Sequence, residues 1–220
     1  ETIEYIVLGD TSSALMAFEA GEIDYFSIPK AEWPRISESG LYTTRLMQSA
    51  HTTFMCFNVN KAPFTDVRVR QAFNYAVNKD DVLLGALDNL GVVASQIGVP
   101  DLCFGCPTPE QTFTYEYNPE KAKELLAEAG YPDGLTLPEK AGTMAGNHFQ
   151  SAIEVIQAQL ADVGVQFDIE IVDSAVYGDR IRSGNFLFQV WGISLSPDAS
   201  SFRRVYGTGG DLNGSLYSNS

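Results

Sequence analysis

Between residues 118 and 192 the hydrophobic period switches repeatedly from helical spacing to strand alternation, and that switching constrains the fold more than any other feature of the chain. "YNPEKAKELLAEAGYPDG" has Asn118 as a cap, Pro119 at the first helical position, Ala122, Leu125, Leu126 and Ala129 as an apolar stripe, and Gly130 as the stop. "NHFQSAIEVIQAQLADVGV" repeats that grammar, with Ile153, Ile156, Leu160 and Val163 inward and Gly164 as the stop. "VQFDIEIV" then alternates strictly, as a single strand with one wet face does. "DSAVYGDRIRSG" reads as a short helix, and "NFLFQVWG" as an apolar strand buried on both faces. Helices alternating with strands predict an α/β sheet.

The N-terminal part extends the pattern. "TIEYIVLGD" and "EIDYFSIP" read as strands around a helix in "TSSALMAFEAG", capped by Asp10 or Thr11 and stopped by Gly21, which gives a β-α-β opening. A helical piece broken by Pro34 follows, then extended runs in "LYTTRLM" and "TTFMCFNVN". After Pro63, Thr65 or Asp66 caps a helix whose Val69, Ala72, Phe73, Ala76 and Val77 recur at helical spacing. Asn78 to Asp81 mark a break before a second helix carrying Val82, Leu83 and Leu87, and residues 88–117 are loop-rich. Lys61, Arg68, Arg70 and Lys79 fall between the apolar positions, as on a solvated helix face.

Charge removes one class of function. With 28 acids against 14 bases the net charge is −14, contrary to what phosphate binding requires, so no nucleic-acid partner is expected. No apolar run approaches the ~18 residues of a membrane span, and the first residues lack the basic segment of a signal peptide. GxSxG, HExxH, P-loop and GxGxxG motifs are all absent, so catalytic residues, a cofactor and enzyme activity are not expected. Cys56 reads as a small buried hydrophobe. Cys103 and Cys106, in "PDLCFGCPTP", lack the further ligands a zinc site needs, which leaves a local disulfide or two loop thiols. A thiol redox role for this pair is the enzyme-class alternative, but that motif belongs at a helix N-terminus and here prolines surround it.

Five phrases carry a family resemblance: "AFEAGEID", "FNVNKAPFTDVRVRQAFNYAVNKDDV", "YNPEKAKELLAEAGYPDG", "IQAQLADVGVQFDIEIV" and "SGNFLFQVWGISLSPDASSF". Together they resemble the extracellular solute-binding proteins of ABC importers, of the dipeptide-, oligopeptide- and nickel-binding type. The resemblance implies a periplasmic-binding-protein-like lobe of type II, α/β with a mixed sheet flanked by helices. It implies an internal fragment of a longer two-lobed protein. Residues 1–55 would be the end of the first-lobe pass and the hinge strand, and 56–220 the second ligand-binding lobe, truncated at its C-terminus. The implied function is capture of a peptide-like or other small solute between two lobes and its delivery to a membrane permease. A sensor or adaptor domain of the same fold is the alternative. The implied setting is extracytoplasmic, with the signal peptide removed, in the periplasm or at the cell surface by a lipid anchor.

The site residues follow from the same resemblance. On the residues alone, Trp191 and Gly192 are a core tryptophan and a turn; the resemblance makes them, with Ile193 and Ser194, a wall of the cleft. His148 stands where some oligopeptide binders place a pocket histidine, although a histidine near a helix start also serves as a cap. Arg182 offers a bidentate partner for a ligand carboxylate, or a cation at a helix C-terminus. Asn58 and Cys56, on the hinge strand, would line the base of the cleft. In similar peptide binders an aspartate three positions after the strand tryptophan holds the peptide's α-ammonium; here Ser194 occupies that position.

Overall fold

The computed structural model describes residues 2–8, 10–144, 148–198 and 200–218, which fall into two compact units, Glu1–Met47 and Gln48–Ser220. In the first unit, α1 (Thr11–Glu19) is capped by Asp10, whose carboxylate accepts from Ser13 N at 2.9 Å. A 3-10 turn at Lys30–Glu32 leads into α2 (Trp33–Glu38), with Pro34 inside its first turn, where no amide donor is needed. Phe18 gathers Phe26 and Tyr42 at ring-centroid distances of 4.9 and 4.8 Å.

The expected β-α-β opening is not formed: no strand occurs among the described residues of this unit. A strand is a pairing, and a β-rich run without a neighbour to receive its amides and carbonyls stays extended. Tyr5 and Val7 are 88% and 95% exposed. The run at 41–47 is likewise without a ladder.

The second unit begins with β1 (His51–Phe57), followed by α3 (Val67–Ala76), α4 (Lys79–Leu87), a loop with one 3-10 turn at Pro109–Gln111, and α5 (Pro119–Glu128). Next come β2 (Leu135–Thr136), β3 (Ala141–Met144), α6 (His148–Asp162), β4 (Val165–Gln166), β5 (Ile169–Val172), α7 (Ser174–Ser183), β6 (Phe188–Ser194) and α8 (Ser200–Tyr206). The main sheet has the order β1-β6-β3-β5; β1 runs antiparallel to β6, and the remaining pairs are parallel. It is the mixed sheet with flanking helices that the sequence implied.

Helix grammar holds in detail. Asp66, not Thr65, caps α3 by accepting from Arg68 N at 2.8 Å, and Val69, Ala72, Phe73, Ala76 and Val77 are all buried. The break before α4 is shorter than expected, because Asn78 itself caps α4 and the helix begins at Lys79. Gly130 and Gly164 take φ of +98° and +85° after α5 and α6, conformations a side chain with Cβ resists. The cations around α3 serve the fold. Arg68 pairs with Asp66 at 2.5 Å and donates to the Glu128 carbonyl at 2.6 Å, while Arg70 donates to the Phe64 carbonyl at 2.5 Å. Phe57, Phe64, Phe73 and Phe188 form the aromatic centre of the core, with neighbouring ring centroids 4.7 to 6.1 Å apart.

"VQFDIEIV" is two strands, not one. Val165 and Gln166 pair with β2, and Ile169–Val172 pair with β3 in the other sheet. The partner changes after Leu137: its amide donates to the Gln166 carbonyl, but the next bond, to the Asp168 carbonyl, comes from Ala141 N four residues on, so residues 138–140 bend out of the ladder. Phe167 turns inward onto Phe188 at 5.5 Å. The alternation is not carried through, and Ile171 ends 52% exposed.

Candidate functional site

The antiparallel register of β1 and β6 sets the geometry of the expected site. His51 lies opposite Ser194, Thr53 opposite Gly192, Phe54 opposite Trp191, and Cys56 opposite Gln189. Opposed residues share a face and successive residues alternate. Trp191 and Ile193 therefore point to one side of the sheet, and Gly192 and Ser194 to the other. The four residues do not form one wall.

On the Ser194 face, His51 Nδ1 lies 3.2 Å from the Ser194 hydroxyl and the Thr53 hydroxyl 2.9 Å from His148 Nε2. The two imidazoles stand nearly perpendicular at 5.7 Å, and His51 stacks on Phe149, the second residue of α6, at 6.0 Å. Gly192 makes this packing possible: a Cβ there would lie 2.3 Å from His51 Nε2 and 2.9 Å from the Phe149 ring. His51 Nε2 is buried and has no partner among the described residues, and burial holds the imidazole below its usual pKa. The result is a cluster of hydrogen-bonding groups at a strand end that opens into the Ser194–Asp198 loop, with Ser194 itself exposed.

His148 and Ser194 are expected site residues; His51 and Thr53, which no motif in the sequence marks, join them. The two histidines, 97 positions apart by their numbers, meet because β1 pairs with β6 while α6 starts beside them. The alternation of "HTTFMCF" was the available signal for which residues of β1 share a face, but the register that brings them to Ser194 is not written in any local pattern.

On the opposite face, Trp191 is half-buried, with its ring tilted on Phe54 at 5.5 Å, in a cluster that includes Ile193, Leu195, Val205 and Phe202. Cys56 is buried, and desolvation pushes its thiol up to about 12, so it is inert at neutral pH. Asn58 is buried with both ends of its amide engaged: Nδ2 donates to the Gly184 carbonyl at 2.8 Å and Oδ1 accepts from Asn60 N at 3.0 Å. Arg182 lies in the last turn of α7, 64% exposed, and pairs with Asp179 at 2.6 Å. Gln189, fully buried in β6, has neither amide atom partnered among the described residues. None of Cys56, Asn58 and Arg182 joins the His51–Ser194 cluster in a hydrogen bond or ion pair among the described residues.

Two surface hollows of about 280 and 360 Å³ lie elsewhere, one beside Tyr131, Gly134 and Gly164 and the other beside Asn78, Lys79 and Tyr115. Neither borders β6. A ligand site is argued better from convergent polar groups at a strand end than from concavity alone. Among the described residues, no cluster of three or more His, Cys, Asp or Glu side chains has metal-binding geometry. Cys106, whose thiol burial and the neighbouring Cys103 push up to about 11, has the opposite of the depressed pKa that thiol redox catalysis uses.

A family model of bacterial extracellular solute-binding proteins, family 5 (middle), matches residues 1–214. The nickel-binding periplasmic protein of Escherichia coli is 31% identical over 219 residues, covering 90% of this chain and 41% of that protein. The dipeptide-binding protein of Escherichia coli is 30% identical over 225 residues, covering 99% and 41%. The oligopeptide-binding protein AppA of Bacillus subtilis, solved in complex with a nonapeptide, superposes with a TM-score of 0.81 at 25% identity, covering 97% of this chain and 45% of that one. The chain spans 41% of the length of each of these two curated relatives.

Proposed function

Because this chain belongs to the bacterial extracellular solute-binding proteins of family 5, we propose that it supplies most of one lobe of a protein that captures a small solute outside the cytoplasm and hands it to an ABC permease. In this proposal residues 1–55 are the end of the first-lobe pass and the hinge strand, and residues 56–220 are the second lobe. The solute, peptide-like or of another small class, binds between the lobes, and a shift from open to closed forms commits it for delivery. No bond is made or broken. The mature protein is periplasmic or lipid-anchored at the cell surface.

The observation that supports this reading most is the meeting of His51, Thr53, His148 and Ser194 where β1 and β6 open into an exposed loop. Hydrogen-bonding groups converging from two paired strands and one helix start can orient a small solute. Trp191 contributes an aromatic surface from the other face of the same strand end.

The test is native mass spectrometry of the intact protein from its own exporting host, followed by calorimetry with short peptides, glutathione, haem and nickel ion. A stoichiometric small molecule released on denaturation, with saturable binding of its class, is expected. A solute-dependent change in the tryptophan emission of the intact protein should shrink in Trp191→Phe. No co-purifying solute and no saturable binding would overturn the transport reading in favour of a sensor or adaptor domain.

A further inference from the structure

Cys103-Phe104-Gly105-Cys106 is a β-turn. The Cys106 amide donates to the Cys103 carbonyl at 3.3 Å, and Gly105 has φ +78°, which a type II turn requires at its third residue. Such a turn brings its first and last Cα atoms within about 7 Å, overlapping the ~4.4–6.8 Å span of a disulfide. The side chains converge as well: the two thiols are hydrogen-bonded to each other. Cys103 is buried, and Cys106 is partly exposed.

The surroundings hold the turn in place. Gly98, at φ +106°, lets the Phe202 ring and Cys106 Sγ close over it; a Cβ there would lie 2.8 Å from the first and 3.1 Å from the second. Gln96 Nε2 donates to the Pro107 carbonyl at 2.6 Å. Phe104 N donates to the Pro197 carbonyl at 2.5 Å. Pro197 lies three residues beyond Ser194, so the cysteine turn is bonded to the loop by which β6 leaves the sheet.

We propose that Cys103 and Cys106 are a modification site: a thiol pair that closes to an intrachain disulfide by exchange with a small-molecule disulfide of the glutathione class, fastening the β6 exit loop. Its occurrence in the cell rests on the extracytoplasmic setting proposed above; its chemistry does not. Cys106, the accessible sulfur, attacks one sulfur of the oxidant as thiolate. The oxidant's S–S bond breaks, and one small thiol leaves with the electron pair and takes up a proton. Cys103 then attacks the Cys106 sulfur of the mixed disulfide, gives up its proton and expels the second small thiol. Two protein thiols are oxidised by two electrons, and one small disulfide is reduced to two thiols.

The test incubates the intact protein in glutathione buffers of graded poise, quenches with acid, alkylates with N-ethylmaleimide and maps the peptides. In oxidising buffer the 103–106 peptide is expected unalkylated and lighter by two hydrogens, with Cys56 labelled only after denaturation. Cys103→Ser should stop the reaction at a glutathione adduct on Cys106, whereas Cys106→Ser should acquire no adduct in the same time. Amide exchange at Phe104 should slow on oxidation. Alkylation of both cysteines under full oxidation, or glutathione on both with no internal bridge, overturns the proposal, and unchanged Phe104 exchange overturns the link to the exit loop. An adduct on Cys103 in Cys106→Ser overturns the order of attack. A protein that binds solute but leaves both thiols alkylatable removes the bridge alone; one that forms the bridge but binds no solute removes the functional reading alone.

Discussion

His51 and Ser194 are opposed across the antiparallel β1–β6 pair, with His51 Nδ1 3.2 Å from the Ser194 hydroxyl. The contact joins two residues 143 positions apart and places an imidazole behind the hydroxyl at the end of β6. Burial disfavours the charged form of this histidine behind the serine, and the consequences can be measured.

The first consequence is a pH dependence. Burial holds the folded-state pKa of His51 below the ordinary histidine value of about 6.5. Between those two values the unfolded chain binds more protons, so His51's contribution is complete above pH ~6.5 and is lost as pH falls towards the folded pKa. Carboxylates lowered by hydrogen bonds, such as Asp66 with Arg68 and Glu170 with Arg180, act only at more acid pH. Urea midpoints of the wild type should therefore decline from pH 7 to 5.5 more steeply than those of His51→Gln. Parallel curves would show that His51 is not held neutral by the fold.

Gly192 faces His51 with no room for a methyl group, since a Cβ would stand 2.3 Å from Nε2. Gly192→Ala should cost about 1–3 kcal/mol by overpacking. Removing the imidazole as well, in His51→Ala with Gly192→Ala, should recover part of that loss, with a coupling of roughly 1 kcal/mol in a double-mutant cycle. Strict additivity of the two substitutions in chemical denaturation would contradict the packing.

Asn58 holds the end of β1 to the Gly184 carbonyl after α7. Asn58→Ala should lower stability by about 1–3 kcal/mol, because a buried acceptor loses its donor. Solute affinity of the intact protein, measured where the variant is fully folded, should change less than twofold. Lost binding at unchanged stability would return Asn58 to the solute site.

Ser194 is neutral, and its nearest side-chain partner, His51, is held neutral by burial. A hydroxyl cannot offset the desolvation of an ammonium group. If the solute is a peptide, N-acetylation should leave its affinity for the intact protein nearly unchanged. A roughly hundredfold loss on acetylation, equivalent to about 3 kcal/mol, would show a charged anchor that this strand end does not supply.

Residues acting within one helix were legible from sequence because their physics is local. Asn118 and Asp66 cap, Gly130 and Gly164 stop, and Val69, Ala72 and Phe73 face inward, since cap chemistry and the 3.6-residue period depend only on near neighbours. The family phrases around α3 and α5 were legible for a related reason, being built from the same caps and stripes. The tertiary structure alone decided what depends on a distant partner. Whether "TIEYIVLGD" is a strand turns on finding a neighbour to pair with, and among the described residues of its unit it finds none. "VQFDIEIV" divides because the segment it pairs with bends out of the ladder between Leu137 and Ala141, which follow one another on carbonyls only two residues apart. Trp191 and Ser194 lie on opposite faces, and His51 meets His148, because pairing register is chosen by side-chain packing over the whole sheet, through hydrogen bonds that are identical at every residue and carry no sequence of their own.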